Sequence, residues 1–426
     1  MDTRIATETK QSAVLRPGQL PAEVERALGA AKFIDMHTHL FMPSLGRLGL
    51  WGIDELLTYH YLEAELFRST KLDPAEYWKM EKRAQADLIW RTLFLENTPI
   101  SEATRGVIAV LQALGLETGN LHEAREYFAG ADLGKHLSRV FDLAGISEVV
   151  MTNDPLDPQE AVYWEAGAER DDRFHAVLRL DRILCYWADH WEALKARGYL
   201  VDADAGGRSV AEVRRFLMDW CVRTKPVYMA CSLPDTFQYP QDTVQSRLLA
   251  DAVLPACQDF GVPMSLMIGV RRQVNPALKL AGDGGGRADL RVLGNLCLTF
   301  PANRFLVSLL SRENQHEFCV YARKFANLLP FGCWWFLNNP SIVEEMTSQR
   351  LEMLGTSFIP QHSDARVLEQ VIYKWRNTRR TLAPVLTKRY ALLTEDGGRV
   401  TYADIERDVA RLFRGNFERF TGLGNV

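Results

Sequence analysis

The chain has 426 residues, 47% hydrophobic and 24% charged, which is typical of a globular enzyme with one large domain or two smaller ones. Its formal net charge is −4, from 50 basic and 54 acidic residues, and this balance argues against a nucleic acid partner. The N-terminus lacks the apolar segment of a signal peptide and no apolar run reaches the ~18 residues of a membrane span, so we expect a cytoplasmic protein that does not bind membranes.

The first predicted strand, residues 32–37, is a short apolar run that leads into His37 and His39. Residues two apart on a strand point to the same side, so both imidazoles would face one side at the strand exit, where they could share a metal ion. A lone H-x-H pair is more often a surface or packing feature. The metal hypothesis therefore depends on a further ligand from elsewhere in the chain.

A long segment with helical patterning, 58–135, follows the first strand. Its best marked helix covers 100–114, with Thr98 as the cap, Pro99 in the first turn and Gly115 at the end. We expect this insertion to pack over the strand exits, where it would cover the site and exclude water.

Short apolar runs then alternate with helical patterns such as 212–223 and 315–327. Strands that alternate with helices predict parallel pairing, and eight such units predict an α/β fold of the (β/α)8 TIM-barrel type. The eight predicted strands are 32–37, 148–153, 174–179, 226–231, 263–268, 304–309, 329–334 and 358–363.

A barrel of this type needs roughly 250 residues, which leaves room for an insertion and terminal arms. The glycine-rich stretch 282–286 lacks the strand-to-helix context of a phosphate loop and is predicted to be a mobile loop. The predicted regions are an N-terminal arm at 1–31, the barrel at 32–57 and 136–387, the helical insertion at 58–135, and a C-terminal helical arm at 388–426.

Reactive groups in such barrels gather where the strands pass into the following loops. If the last strand pairs with the first, Asp364 comes next to His37 and His39. Arginines at other exits suit an anionic small molecule, because a guanidinium binds a carboxylate through two parallel hydrogen bonds. The other residues at the exits are Asn153, Asp154, Arg179, Asp181, Ser232, Asp235, Arg271, Arg272, Ser311, Arg312, Glu313, Trp334, Trp335 and Arg366.

Several of these segments together resemble the uronate isomerases, a family of the amidohydrolase superfamily, and the resemblance spans nearly the whole chain. Ser363, Ala365 and Met267 depart from the commoner family pattern, which has Thr, Ser and, at the end of the fifth strand, His at these positions. These departures indicate a divergent branch. The matching segments are DMHTHL at 35–40, LTYHYL at 57–62, MTNDP at 151–155, LRLD at 178–181, GCWWF at 332–336 and SDAR at 363–366.

The resemblance implies a metal-assisted aldose–ketose isomerase that converts D-glucuronate to D-fructuronate and D-galacturonate to D-tagaturonate. The hexuronate would be its small-molecule partner. At matching positions, His37, His39 and Asp364 would hold one divalent metal ion, usually zinc.

The remaining family positions would face the sugar acid: Arg179, Arg366, His60 and Tyr61, to which we add Trp335. Moving hydrogen from C2 to C1 through an enediol needs a positive centre for the oxyanion and a group that carries a proton. Arg366 and Arg179 are the candidates for the positive charge. Asp364, His60 and Tyr61 are unranked alternatives for the proton carrier.

Structural roles are the alternatives for several of these residues. Arg179 with Asp181 could be a surface ion pair, and His60 lies in a helical pattern whose buried side is undecided. Of the adjacent Trp334 and Trp335, an alternating strand would turn one to the barrel interior and one to the helices. We expect the basic cluster of Arg376, Arg379 and Arg380 to be a solvated helix face.

Two other functions are compatible with the same barrel. One is a mononuclear metal-dependent hydrolase or decarboxylase of the amidohydrolase superfamily, and the other is a binding protein without turnover. A two-metal hydrolase is disfavoured, because the fourth strand offers no bridging lysine and the fifth no histidine. A homo-oligomer is compatible with all of these functions.

The seven cysteines are widely spaced and include no C-x-x-C pair. This argues against a disulfide framework and against a structural zinc site, and it fits a reducing compartment. Several lie in apolar runs, where we expect them to act as small core side chains.

Overall fold

Short, mostly parallel strands alternate with helices along residues 12–424, the part of the chain that the computed structural model describes. Residues 1–11 of the predicted N-terminal arm lie outside that range. The strands are β1 Phe33–Asp35, β2 Ile146–Val150, β3 Phe174–His175, β4 Leu178–Arg179, β5 Met229–Pro234, β6 Met264–Arg271, β7 Gly284–Gly285, β8 Phe305–Leu309 and β9 Leu328–Pro330.

Helices fill most of the chain between these strands and beyond the last of them. They are Leu20–Ala30, Ile53–Leu57, His60–Ser69, Pro74–Tyr77, Lys82–Trp90, Glu102–Leu114, Leu121–Gly130, Leu133–Ala144, Pro158–Glu165, Asp181–Leu184, Trp187–Ala196, Arg208–Thr224, Val244–Leu248, Leu254–Phe260, Arg291–Thr299, Gln315–Ala322, Pro340–Leu354, Gln370–Glu395, Tyr402–Ala410 and Asn416–Thr421. No helix within residues 12–424 combines the length and the apolar content that crossing a membrane requires.

The strands are arranged in a ring, and neighbouring strands pair mostly in parallel. One ladder runs β1–β2–β3 and another runs β4–β5–β6–β8–β9, and a bridge between Asn153 and Leu178 joins the two. Beyond β9, Ile359 N donates to the carbonyl of Pro330 at 2.9 Å. His39 N then donates to the carbonyl of Ala365 at 2.7 Å, which links the last segment to the first. The ring closes, so the predicted (β/α)8 barrel is confirmed.

Several predicted strands differ from the observed ones, among them the seventh, at 329–334, which overlaps β9 only at residues 329 and 330. The single strand predicted at 174–179 is observed as two short strands, β3 and β4. The ladder is interrupted because the Val177 N–H donates to the side-chain oxygen Asn153 Oδ1 at 3.2 Å. The prediction at 226–231 begins too early, since β5 is Met229–Pro234. Of the strand predicted at 358–363, only the bridge between Phe331 and Ile359 is observed. Further along this segment, hydrogen bonds to side chains replace the backbone ladder.

Two predictions in the loops and insertion were wrong. The helix predicted at 100–114 begins at Glu102, because Ser101 rather than Thr98 caps it by accepting from Thr104 N at 3.1 Å. The glycine-rich stretch 282–286 contains β7, which pairs antiparallel with the end of β6, so it is part of the sheet rather than a loop.

Arg379 also departs from its predicted role on a solvated helix face. Its guanidinium donates to the carbonyls of Leu28 at 3.1 Å and Ala144 at 2.6 Å, and lies 4.3 Å from the centre of the Phe33 ring. It therefore ties the helix Gln370–Glu395 to the first helix and to β1. That same helix runs through the predicted boundary between barrel and C-terminal arm.

The helices between β1 and β2 contact the segment that follows β6 as well as the helix Gln370–Glu395. His60–Ser69 packs on the turn Pro276–Gly282, which follows β6. Trp78 adds to this contact by donating from Nε1 to the carbonyl of Ala277 at 2.9 Å. The insertion is therefore held by the loop that leaves the middle of the sheet.

Candidate active site

The three predicted metal ligands lie together at the exits of the first and last barrel segments. His37 Nε2 and His39 Nε2 are 3.7 Å and 3.4 Å from Asp364 Oδ1. One nitrogen or oxygen atom of each residue lies within 4.8 Å of the others. Two imidazole nitrogens and a carboxylate oxygen at this spacing form a donor set suited to a divalent cation.

The barrel ends hold these ligands in place through backbone hydrogen bonds. Between the two histidines, Thr38 donates from its N–H and its hydroxyl to the carbonyl of Val150, at 2.8 Å and 2.9 Å. Asp364 has a φ of 55° in the left-handed region, and its N–H donates to the carbonyl of His37 at 3.2 Å. A non-glycine residue in that region carries strain, which the surrounding bonds must support.

Tyr228 supports His37 from behind. Its hydroxyl donates to the carbonyl of Met36 at 2.8 Å and lies 3.1 Å from His37 Nδ1. Because that hydroxyl proton is committed to Met36, Nδ1 is the donor and the Nε2 lone pair is left for a metal. The sequence analysis missed Tyr228. A tyrosine two residues before Ala230, on the interior side of an apolar strand, is a signal that could have identified it.

The residues present fit a metal ion. Asp364 Oδ1 is buried and has no hydrogen-bond donor within residues 12–424, which is costly unless a cation takes that place. Burial lowers the pKa of His37 to about 3 and that of His39 well below its usual value. Both rings are therefore neutral near pH 7, the form that binds metals.

A small inner cavity, with room of about 20 Å³, lies beside these ligands. It continues into a wider outer cleft, because His39, Thr152, Arg179, Asp181, Arg272 and Arg366 line both. The residues lining the inner cavity are His37, His39, Thr152, Arg179, Asp181, Ala230, Cys231, Ser232, Met267, Arg272, Trp334, Trp335, Asp364 and Arg366.

Three arginines give the cavity a positive wall. Arg179 pairs with Asp181 at 2.6 Å, and Arg272 pairs with Asp283 at 2.6 Å. Within residues 12–424, the Arg366 guanidinium makes no ion pair. The Arg179 pair is not the surface ion pair that was the alternative, because the side chain of Asp181 is only 7% exposed and both residues line the cavity.

Both tryptophans line the cavity, so the expected division between barrel and helices was wrong. The reason is that β9 ends at Pro330, and Trp335 begins a short turn with a φ of 48°. Strand alternation does not apply beyond the end of the strand.

His60 and Tyr61 lie behind this wall rather than on it, since neither is among the residues that line the two cavities. The His60 ring is buried 6.0 Å from the Trp335 ring, and both of its nitrogens lack partners within the described part of the chain. Burial lowers the pKa of His60 well below its usual value and raises that of Tyr61 well above.

Three solved structures are similar to the chain over nearly its whole length. A uronate isomerase from Bacillus halodurans C-125 has 49% sequence identity and a TM-score of 0.94, with 96% of this chain and 98% of that one covered. A uronate isomerase from Thermotoga maritima has 14% identity and a TM-score of 0.75, with coverage of 97% and 99%. A glucuronate isomerase from Caulobacter crescentus has 16% identity and a TM-score of 0.74, with coverage of 96% and 95%.

The two more distant structures share the fold of the chain. No family model and no curated protein sequence matches it. Because the identity with the first structure is 49% over 96% of its length, the protein belongs to the uronate isomerase family.

Proposed function

We propose that the protein is a metal-dependent hexuronate isomerase that interconverts D-glucuronate with D-fructuronate and D-galacturonate with D-tagaturonate. The observation that carries the proposal is one cavity lined by His37, His39 and Asp364 together with Arg366, whose guanidinium makes no ion pair within residues 12–424. A sugar acid matches both features of this cavity. Its oxygens can bind a metal ion, and its carboxylate can pair with an arginine.

The metal is proposed to be zinc, held by His37, His39 and Asp364. Two histidines and one carboxylate are a donor set that zinc accepts, as do manganese, cobalt and iron, and metal analysis of the purified protein distinguishes them. When bound, the ion would polarise the sugar carbonyl and stabilise the negative charge that develops on its oxygens.

The isomerisation requires one base that can take and return a proton. Removal of the C2 proton leaves its electron pair in a new C1–C2 double bond, and O1 gains a proton to give the enediol. A proton then returns to C1, O2 loses its proton, and the C2 carbonyl forms. Atoms and electrons balance without an oxidant.

Asp364 is proposed as that base. It lines the cavity, whereas His60 and Tyr61 do not. Asp181 also lines the cavity, but its oxygens accept from Arg179 and from Ser232 N at 2.6 Å and 2.9 Å. His60 and Tyr61 are proposed to support the wall behind Trp335 and Arg366, since burial keeps both of them uncharged.

The arginines are proposed to bind and orient the substrate. Arg366 is free to form a two-pronged pair with an anionic group, while Arg179 is held in position by Asp181. Binding energy from the distant carboxylate would align C1 and C2 with the base. Trp335 is proposed to pack against the sugar ring from the opposite wall.

A two-metal hydrolase is the weaker alternative. No lysine is among the residues lining either cavity within residues 12–424, and Met267 lines the wall at the fifth predicted strand, where two-metal hydrolases normally have a histidine. The described part of the chain therefore offers ligands for one metal ion rather than for the bridged pair of metal ions that such hydrolases use.

The test is to incubate metal-loaded protein with D-glucuronate and, separately, with D-galacturonate, and to detect the keto sugar acids by chromatography. Both His37→Ala and Asp364→Asn should lose bound metal and turnover. His122→Ala is the matched control, because His122 is on the surface with 79% of its side chain exposed. Absence of keto acids from the metal-loaded wild type with both sugars would overturn the proposal.

A further inference from the structure

A pair of thiols stands at the wall of the cavity, outside the chemistry proposed above. Cys185 Sγ lies 3.6 Å from Cys231 Sγ. Cys231 is buried and lines the cavity, whereas Cys185 is partly exposed and is the cysteine among the seven that solvent reaches. One thiol of the pair is therefore accessible to solvent, and the other faces the cavity.

We propose that Cys185 and Cys231 form a modification site at which hydrogen peroxide closes a disulfide across the cavity wall and lowers substrate binding. Disulfide sulfurs are about 2.05 Å apart, so the two atoms must approach by about 1.5 Å. Side-chain rotation together with a small movement of one segment supplies an approach of that size.

The exposed thiol reacts first. The Cys185 thiolate attacks one oxygen of hydrogen peroxide, the O–O bond breaks, and a sulfenic acid forms. The hydroxide that is released takes up the proton that the Cys185 thiol gave up and leaves as water. The Cys231 sulfur then displaces the sulfenic oxygen, which leaves as a second water with the Cys231 proton. Two thiols and one peroxide become one disulfide and two waters.

The new bond would disturb the arginine that faces the substrate. Strand β5 carries Cys231 and is flanked on both sides by β4 and β6, so Cys185 is the partner free to move. Cys185 directly follows the helix Asp181–Leu184, whose first residue holds the Arg179 guanidinium. Drawing this helix toward β5 would shift Asp181 and Arg179, and a displacement of about 1 Å at a site can lower catalysis by about 100-fold.

The experiment treats metal-loaded wild type with hydrogen peroxide, then quenches with catalase. We expect loss of two of the seven thiols and a Cys185–Cys231 linked peptide in non-reducing mass mapping. We also expect a 10- to 100-fold fall in kcat/KM for the hexuronate that dithiothreitol reverses. The thiol and peptide readouts need no substrate, so they report on the disulfide even if the proposed isomerase activity fails.

Two variants complete the test. Cys185→Ala should keep its basal activity, form no linked peptide and resist peroxide, whereas the matched control Cys297→Ala, at a buried cysteine on another helix, should behave as wild type does. Thermal unfolding checks that each variant folds. Absence of the linked peptide from wild type, or equal loss of activity in wild type and Cys185→Ala, would overturn the proposal.

Discussion

The hydroxyl of Tyr228 lies 3.1 Å from Nδ1 of His37 and donates its own proton to the carbonyl of Met36 at 2.8 Å. This pairing fixes the tautomer that leaves His37 Nε2 available as a ligand. Tyr228→Phe should therefore weaken metal binding by about 10- to 100-fold while the barrel stays folded. Competition against a chelator of known affinity measures the change.

The chain offers a matched control for this prediction. Tyr127 OH lies 3.2 Å from His136 Nδ1, the same type of contact between two residues that line neither cavity. Tyr127→Phe should leave metal affinity as it is in wild type. Equal affinities of the two variants for the metal would show that the Tyr228 contact does not act on His37.

Arg366→Met should lower kcat/KM by about 100-fold, because a hydrogen bond to a charged group contributes about 1.5–3 kcal/mol. Since the guanidinium makes no ion pair within residues 12–424, its loss should cost little folding free energy. Steady-state kinetics and thermal unfolding together measure both effects. Arg376→Met, at an exposed arginine on the following helix, is the control. A sharp fall in Tm with unchanged turnover per folded molecule would make Arg366 a structural residue.

Local pattern was sufficient to predict the main parts of the site. The two-residue spacing of His37 and His39 just after β1 predicted that they lie close together, and closure of the ring brought Asp364 beside them. Their proximity could be predicted because it follows mainly from sequence spacing and barrel topology. Tyr228 could not be paired with His37 in the same way, because their contact depends on how two strands distant in sequence face each other inside the barrel.

Two of the errors share a physical cause, which is that side-chain hydrogen bonds end regular structure before the apolar pattern does. Asn153 interrupts the strand predicted at 174–179, and Asp35 accepts from Ser363 N at 3.0 Å where the eighth strand was expected to continue. The prediction placed Arg379 in solvent because it considered the charge of the side chain but not the groups that accept its hydrogen bonds. Those acceptors are backbone carbonyls that only the tertiary fold supplies.

Gly332 is required where the chain turns toward Trp334. Its φ is +66°, and a Cβ there would lie 2.0 Å from His362 Nδ1, so Gly332→Ala meets both backbone strain and a clash. The expected loss in the free energy of unfolding is about 3 kcal/mol. Gly167→Ala is the control, because Gly167 has a φ of +74° and nothing within 4 Å, so only the strain of about 1 kcal/mol applies. Equal losses in urea unfolding would contradict the clash.

Glu63 should make the stability of the insertion depend on pH. The carboxyl lies on the helix His60–Ser69, and Tyr77 donates its hydroxyl to it at 3.2 Å. Burial raises the pKa of Glu63 from 4.5 to about 7. Because the folded state binds this proton more tightly than the unfolded chain, the stabilisation is fully present below pH 4.5 and is lost as pH rises through about 7.

Glu63→Gln removes this dependence, since an amide does not ionise and its oxygen still accepts from Tyr77. The free energy of unfolding of the variant should therefore rise relative to wild type by roughly 2 to 3 kcal/mol between about pH 5 and 8. Titrations shared by both proteins, including those of the histidines, cancel in the difference. Urea unfolding across this range measures it, with Glu25→Gln as a control at an exposed glutamate. A constant difference between variant and wild type would mean that Glu63 ionises in the folded protein as readily as in the unfolded chain.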